Sequence, residues 1–522
     1  LASFLFRWAD PHDDQCGSVY ADTPVGRSLL EVSHQLTALR AARPAGAGAV
    51  NNVLVASNRG PVSFTVSDDG ELTLRRGGGG LVSGLSGVAK DGVLWVCAAL
   101  SDGDRSAVHL APGGRIDQAG YDTGPLRMLD IPPATFHRAY NAVANSTLWF
   151  VNHLLYDIPN APLFGTKFGR EWESYRDYNG AFALALAEEA GHEARVMVQD
   201  YHLTLTPAML RAERPDLRIA HFSHTPWAPP EYFSLLPDEV AREVLEGILG
   251  ADHAGFLTDR WAQAFMDCCE ALLGAEADRV GRSVTHDGRT TRIGVHSLGV
   301  DGAALWERAC EPDVESHMTA LKEQVGDRRL IVRIDRTELS KNIVRGLVAY
   351  GEFLGSHPEW HGRVVHLAFA YPSRHDLPEY REYTASVQRC AQQIEDAYAT
   401  EDWDPLILNV NDDYPRSLAA YRMADVLLVN PIRDGMNLVA KEGPVLSPRC
   451  ALVLSREAGA AAELGSHALL VNPYDISGTA TALHDALVMP EDERRTRRDK
   501  LHAAATALPP QKWLEAQLDA LA

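Results

Sequence analysis

The chain has 522 residues, too many for one ordinary domain, so two or three are expected, and 46% hydrophobic residues can supply a large core. Its 70 acidic against 49 basic side chains leave a net charge of -21, which excludes a general nucleic-acid binder, because phosphate backbones need basic surface. No run approaches the length of a membrane span, and seven scattered cysteines without a Cys-x-x-Cys pair fit reduced thiols in a cytoplasm.

Residues 1–50 read as an N-terminal extension, with a helical stretch near Ser28–Arg43 and a flexible Pro-Ala-Gly-Ala-Gly-Ala tail. From Asn52 the pattern alternates. Strands are predicted at Val53–Ala56, Leu94–Cys97, Val196–Val198 and Ile219–Phe222, with helices at Tyr178–Ala190 and Leu203–Ala212. After about residue 302 a second series places strands at Leu330–Ile334, Val364–Ala370, Leu406–Leu408, Val426–Val429, Ala451–Leu454 and Leu469–Val471. Alternating strands and helices imply parallel sheets with helices on both faces. Two such series imply an α/β chain of two doubly wound domains facing a cleft, where ligands sit at the carboxyl ends of the strands.

The polar clusters fall in those places. Ser57-Asn58-Arg59 follows the first strand, and the Arg59 guanidinium there could grip a phosphate bidentately. Arg75-Arg76-Gly77-Gly78-Gly79-Gly80-Leu81 is a bare turn that could approach a diphosphate closely; without a Gly-Lys-Ser/Thr ending it does not indicate ATP hydrolysis. Asp200 ends a strand, where it could orient or deprotonate a hydroxyl or cap a helix. His221 and His224 lie on opposite faces of an extended strand, which disfavours zinc, and His224 reads as a sugar-hydroxyl partner at the cleft mouth. Arg336 and Lys341 put two cations in one loop, suited to a leaving diphosphate, with Asp335 and Glu338 as local partners. Tyr371-Pro372-Ser373-Arg374 supplies another phosphate clamp.

The most informative segment runs from Asp434 to Glu442. It follows the apolar strand Val426–Val429 and is read as opening a helix, with Gly435, Met436 and Asn437 at its N-terminus, where free N–H groups favour an anion. Asp434 can accept hydrogen bonds from sugar hydroxyls. Glu442, eight residues on and on roughly the same helical face, can accept both hydroxyls of a ribose.

Together these residues resemble the trehalose-6-phosphate synthase family of retaining glycosyltransferases. The motifs that carry the resemblance are Ser57-Asn58-Arg59, Gly79-Gly80-Leu81, Tyr140-Asn141…Asn145…Leu148-Trp149, Asp200-Tyr201-His202-Leu203, His224-Thr225-Pro226…Pro230-Glu231, Arg336…Ser340-Lys341 and Arg433–Glu442. The resemblance implies a GT-B fold with an acceptor domain at 51–302, a nucleotide-sugar domain at 303–495, and a C-terminal helix at 496–522 crossing back to the first. It implies transfer of glucose from a nucleotide donor to glucose 6-phosphate, forming an α,α-1,1 linkage. By position, Arg59, Tyr140 and Arg374 would hold the acceptor phosphate, Trp149 would pack on the acceptor, and Asp200 would bind one of its hydroxyls. His224 would contact the donor sugar near its 6-hydroxyl, and Arg336 and Lys341 would neutralise the diphosphate. Asp434 with the Gly435–Asn437 amides would hold glucose and phosphate, and Glu442 the ribose; Gly79, Gly80, Leu438 and Val439 complete the donor set. Asp200, His224, Arg336, Lys341 and Asp434 form the expected catalytic group. No metal or other cofactor is expected, since cations and helix dipole can replace it.

The departures from the family pattern are Ala98, where a second tryptophan is frequent, Thr337-Glu338-Leu339-Ser340-Lys341-Asn342 in place of Leu-Asp-Tyr-Ser-Lys-Gly, and Asn430 in place of threonine. The chain looks like actinobacterial members, which favours GDP-glucose over UDP-glucose. A pseudo-glycosyltransferase of the validoxylamine 7′-phosphate synthase type, an inactive sugar-phosphate sensor and a UDP-glucose-dependent starch- or sucrose-type transferase are the rival readings. The expected partners are the two substrates, with neither nucleic acid nor membrane, and self-association into a homo-oligomer stays open.

Overall fold

The computed structural model describes residues 51–67, 71–76, 92–121, 123–374 and 376–522. The helical stretch expected near Ser28–Arg43 and the turn holding Gly79 and Gly80 lie outside the described residues.

The first half contributes β1 (Asn51–Ala56), a hairpin of β2 (Val62–Val66) and β3 (Leu72–Arg76), β4 (Leu94–Ala98), β5 (Leu126–Leu129), β6 (Ala190–Gln199), β7 (Arg218–Ser223), β8 (His253–Phe256), β9 (Glu276–Asp278), β10 (Ser283–His286) and β11 (Arg289–Val295). The second half contributes β12 (Arg329–Arg336), β13 (Val364–Tyr371), β14 (Leu406–Asn409), β15 (Val426–Val429), β16 (Ala451–Ser455) and β17 (Leu469–Val471). The first sheet runs β5-β4-β1-β6-β7-β8-β11-β10-β9, parallel except where β10 and β9 join. The second runs β14-β13-β12-β15-β16-β17 and is parallel throughout.

Both sheets wind outward from their first strand in both directions, which leaves a crevice between β1 and β6 and another between β12 and β15. Open α/β sheets bind ligands at such reversals, beyond the carboxyl ends of the strands. The central strands earn their place by composition: all of β4 and β15 is buried, as strands covered by helices on both faces must be. This is the expected GT-B arrangement of two Rossmann-like units.

Local boundaries differ from the sequence reading where packing extends an element. The helix predicted from Tyr178 starts at Thr166, because Phe168, Trp172 and Tyr175 continue the same buried face. The one predicted from Leu203 starts at Thr206, since Tyr201–Leu203 form a tight turn first. β5, β8 and the β9–β11 ribbon went unread; β8, His-Ala-Gly-Phe, lacks β-branched residues, and the ribbon is largely polar. The C-terminal helix Glu491–Thr506 packs on the second half, and the helix Pro510–Asp519 that follows it returns to the first sheet. Val300 and Gly299 donate to the Ala505 and Leu508 carbonyls at 3.1 and 2.8 Å, and the Trp513 ring meets Phe222 edge-on at 5.0 Å. Among the described residues no helix is long and apolar enough to cross a membrane.

Candidate active site

The crevice of the second sheet holds a tight ion pair. Lys341 leaves the turn after β12, Asp434 follows β15, and Lys341 Nζ lies 2.6 Å from Asp434 Oδ2. Burial alone would raise the Asp434 carboxyl, but the Lys341 ammonium, with a 3.1 Å hydrogen bond from Asn437, holds it below the usual carboxylate range. Burial likewise works against the Lys341 charge, and Asp434, Asp335 and Glu338 together raise it instead. Glu338 sits beside them with its Oε1 accepting from Ser373 Oγ at 3.0 Å and lying 3.1 Å from Arg336, itself an exposed side chain. Burial is overcome there too: Arg336, Arg374 and Lys341 hold the Glu338 carboxyl down at about 2. With Asp335 paired to Arg333 at 2.8 Å, the cations Arg336, Lys341 and Arg374 exceed the Glu338 and Asp434 carboxylates by one, which suits a diphosphate.

The loop after Asp434 is seated by the first half of the chain. The Trp261 indole donates to the Gly435 carbonyl at 3.0 Å, and the Arg433 guanidinium lies 4.5 Å over the same indole. Arg433 also donates to the Trp227 carbonyl at 2.8 Å. Here the sequence reading needs correction. Gly435, Met436 and Asn437 do not form the helix N-terminus; the helix spans Val439–Leu446, with Leu438 at its cap. Asn437 explains the delay: it takes a positive φ of 75°, and its side-chain oxygen accepts from the Ala440 amide at 3.1 Å. Glu442 therefore lies in the first helical turn, where its Oε2 accepts from the Tyr421 hydroxyl at 2.9 Å. Met436 is buried, so only its backbone can face a ligand, while Leu438 and Val439 are half-buried.

Across the cleft, Asp200 follows β6 with φ 73° and ψ 173°, a conformation essentially reserved for glycine that costs about 1–3 kcal/mol. Its Oδ1 accepts from the His224 amide at 3.1 Å. Burial raises the Asp200 carboxyl to about 7, against the pull of the Tyr201 and His224 amides and of Arg374. Burial keeps His224 neutral, pushed down to about 3, and its Nε2 lies 2.9 Å from Gln199 Oε1. Trp513 from the C-terminal helix touches the same imidazole, with ring centroids 5.5 Å apart.

Arg374, from the second half, has its guanidinium 4.2 Å over the Trp149 ring of the first half. It donates to the Tyr380 and Tyr201 hydroxyls at 2.5 and 3.2 Å. Tyr140 stacks 5.5 Å from His202, whose ring is held neutral first by burial and then by Arg374 and Arg59. Arg59 is exposed at the exit of β1. Three of the eight non-glycine residues with positive φ among the described residues, Asp200, Arg374 and Asn437, thus belong to this one cleft. Backbone strain of that kind concentrates at functional sites.

The structure therefore brings together Arg59, Tyr140, Trp149, Asp200, His224, Arg336, Lys341, Arg374 and Asp434 around one cleft. Glu442 pairs with Tyr421 of the helix Tyr414–Met423 in the second half. Ala98, where the family often has tryptophan, is buried at the end of β4. Sequence reasoning missed His153, Trp261 and Trp513; of these only His153 carried a local signal, four residues after Trp149 and so on its helical face. Among the described residues one set, His357, Glu359 and His484, clusters as metal ligands might. It lies at the far end of the helix Ile343–Ser356, and its imidazoles stack face to face at 3.9 Å and 8°, so no ion can sit in both ring planes.

The family model for glycosyltransferase family 20 matches residues 51–522. The chain belongs to glycosyltransferase family 20. A family relative, the trehalose-6-phosphate synthase of Mycobacterium tuberculosis, is 34% identical over 488 residues, covering 90% of this chain and 95% of that one. The bifunctional trehalose-6-phosphate synthase/phosphatase of Thermoproteus tenax is 34% identical over 456 residues, and the match spans 85% of this chain but only 60% of that longer protein. Among solved structures, trehalose-6-phosphate from E. coli bound with UDP-2-fluoro glucose superimposes with a TM-score of 0.78 at 28% identity, covering 90% of this chain and 98% of that chain. The UDP-forming alpha,alpha-trehalose-phosphate synthase of Burkholderia xenovorans in complex with glucose-6-phosphate gives 0.77 at 28% identity, covering 90% and 99%.

Proposed function

We propose that this chain is an α,α-trehalose-phosphate synthase, moving glucose from a nucleotide-glucose donor to glucose 6-phosphate with retention of configuration and releasing the nucleoside diphosphate. The observation that carries this reading is Arg374, a cation from the second half lying 4.2 Å over Trp149 of the first, within the same cleft as the Lys341–Asp434 pair. A phosphate clamp beside an aromatic wall suits a sugar phosphate, and a positive pocket at the second sheet's reversal suits a nucleotide sugar.

In this reading residues 51–302 hold the acceptor and residues 303–495 the donor, with 496–522 crossing back. Arg59, Tyr140 and Arg374 grip the acceptor phosphate while Trp149 packs on its ring. Asp200 accepts from an acceptor hydroxyl, and His224 binds the donor sugar. Arg336 and Lys341 neutralise charge on the leaving diphosphate, Asp434 and the Gly435–Asn437 backbone orient the glucose, and Glu442 takes the ribose. The acceptor hydroxyl attacks the anomeric carbon from the face the diphosphate leaves, and a donor phosphate oxygen takes its proton. For the base, the likeness to actinobacterial members favours GDP-glucose, while relatives such as the Aspergillus niger enzyme named as UDP-forming make UDP-glucose the competitor. The presence of Arg336, Lys341 and Asp434 weighs against an inactive sensor.

The test is nucleotide release from GDP-glucose and from UDP-glucose, each with and without glucose 6-phosphate. Release that depends on glucose 6-phosphate supports the reading. Release independent of the acceptor, or none from either donor, overturns it.

A further inference from the structure

Behind the Arg374–Trp149 contact lies a histidine to which nothing above gives a role. His153 follows Trp149 by one helical turn, is 1% exposed, and stacks on the indole at 3.9 Å and 23°. Its Nδ1 lies 2.9 Å from the Trp149 carbonyl oxygen. A carbonyl can only accept, so Nδ1 must carry the proton of that hydrogen bond. In the neutral ring this leaves Nε2 as a fixed lone pair, and no group among the described residues donates to it. The ring feels the charges of Asp434, Glu338 and Lys341, all from the second half of the chain. Despite the pull of those two carboxylates, burial pushes His153 down to about 4, so it stays a neutral acceptor at ordinary pH.

The residue is buried, but its Nε2 is not sealed off, so a ligand can reach this lone pair and supply the missing donor. The surroundings say which. The indole it stacks on carries Arg374, the ring feels the charges of the Lys341–Asp434 pair, and a ligand group there that can donate to a neutral nitrogen is a sugar hydroxyl. Resting on the transferase reading above, we infer that His153 Nε2 accepts a hydrogen bond from a hydroxyl of the transferred glucose, at the junction between the two sugars. Trp149 then serves the site twice, through its face and through its backbone carbonyl, which fixes the tautomer of the histidine stacked on it.

The experiment compares wild type with His153→Phe and His153→Gln. Phenylalanine keeps a ring on Trp149 but offers no acceptor, whereas glutamine places an oxygen near the Nε2 position. Steady-state rates are measured with the nucleotide-glucose donor and with its monodeoxy-glucose analogues, and GDP and UDP binding by calorimetry reports on the rest of the site. The expectation is that His153→Phe lowers kcat/KM for the donor about fivefold to tenfold, the worth of one hydrogen bond. His153→Gln should recover most of the loss, and diphosphate binding should stay within about twofold in all three proteins. One deoxy donor should be penalised on wild type and not on His153→Phe. Wild-type rates in His153→Phe, a loss that glutamine fails to restore, or a parallel loss of diphosphate binding would overturn the assignment. A wild-type protein that transfers no glucose would instead sink the transferase reading itself.

Discussion

Gly435 and His224 touch across the cleft: a Cβ at Gly435 would collide with the His224 carbonyl oxygen. The donor loop of the second half is therefore pressed onto the strand exit that also carries Asp200 and His224. Gly435→Ala forces one wall to move, and overpacking of this kind costs about 1–3 kcal/mol. The variant should melt at lower temperature and lose most of its affinity for nucleotide-glucose, read by thermal unfolding and calorimetry. An unchanged melting temperature with unchanged affinity would mean the two walls are not in contact in solution.

Lys341→Ala removes the one ammonium that balances Asp434. Losing a preorganised cation opposite a developing anion lowers kcat about 100- to 1000-fold. Circular dichroism should show the fold retained, and single-turnover nucleotide release should show the slowed step. Turnover within about tenfold of wild type would remove Lys341 from the leaving group.

Asp200 sets a pH dependence. Its carboxyl is raised to about 7, so the folded state favours the protonated form. Its contribution to stability is complete below the unfolded value near 4 and disappears as pH rises through about 7. The ionised carboxylate accepts a stronger, charge-assisted hydrogen bond from the acceptor hydroxyl than the protonated form does, so kcat/KM should climb to a plateau above about pH 7. Asp200→Asn should lower the rate and flatten that limb. His224 and His153, pushed down to about 3 and about 4, add no step in this window. A limb that survives in Asp200→Asn belongs to another group.

Much of this cleft could be read from the sequence because its residues follow apolar strands. Val426–Val429 is short, branched and fully buried, so the position of Asp434 at a strand exit was fixed by local pattern. Arg59, Asp200 and Arg374 follow β1, β6 and β13, and Arg336 ends β12, by the same logic. The rest depends on contacts that spacing cannot encode. The start of the helix after Asp434 turns on one Asn437 side chain capping Ala440, which moved Glu442 into the first turn. Trp261 reaches Gly435 from 174 positions away, and Trp513 reaches His224 from a helix near the end of the chain.

Trp261→Phe tests the seat of the donor loop. It keeps an aromatic face under Arg433 and removes the hydrogen bond to the Gly435 carbonyl. A neutral hydrogen bond is worth about 1 kcal/mol, so the KM for nucleotide-glucose should rise about fivefold while that for glucose 6-phosphate holds. Equal rises in both would indicate general loosening of the cleft.

Arg374→Ala should act on the other substrate. Loss of a charge-assisted contact costs about 1.5–3 kcal/mol, a rise of about 10- to 100-fold in the KM for glucose 6-phosphate. Free glucose, which carries no phosphate, should be discriminated against less strongly by the variant than by wild type. An unchanged KM would take Arg374 out of the acceptor site.

The central claim is that donor and acceptor meet in this cleft to form one defined bond. Proton NMR of the product from nucleotide-glucose and glucose 6-phosphate tests it directly. The account predicts a non-reducing disaccharide phosphate in which both anomeric protons show the α coupling. A β-linked or reducing disaccharide, or glucose released to water, would contradict it.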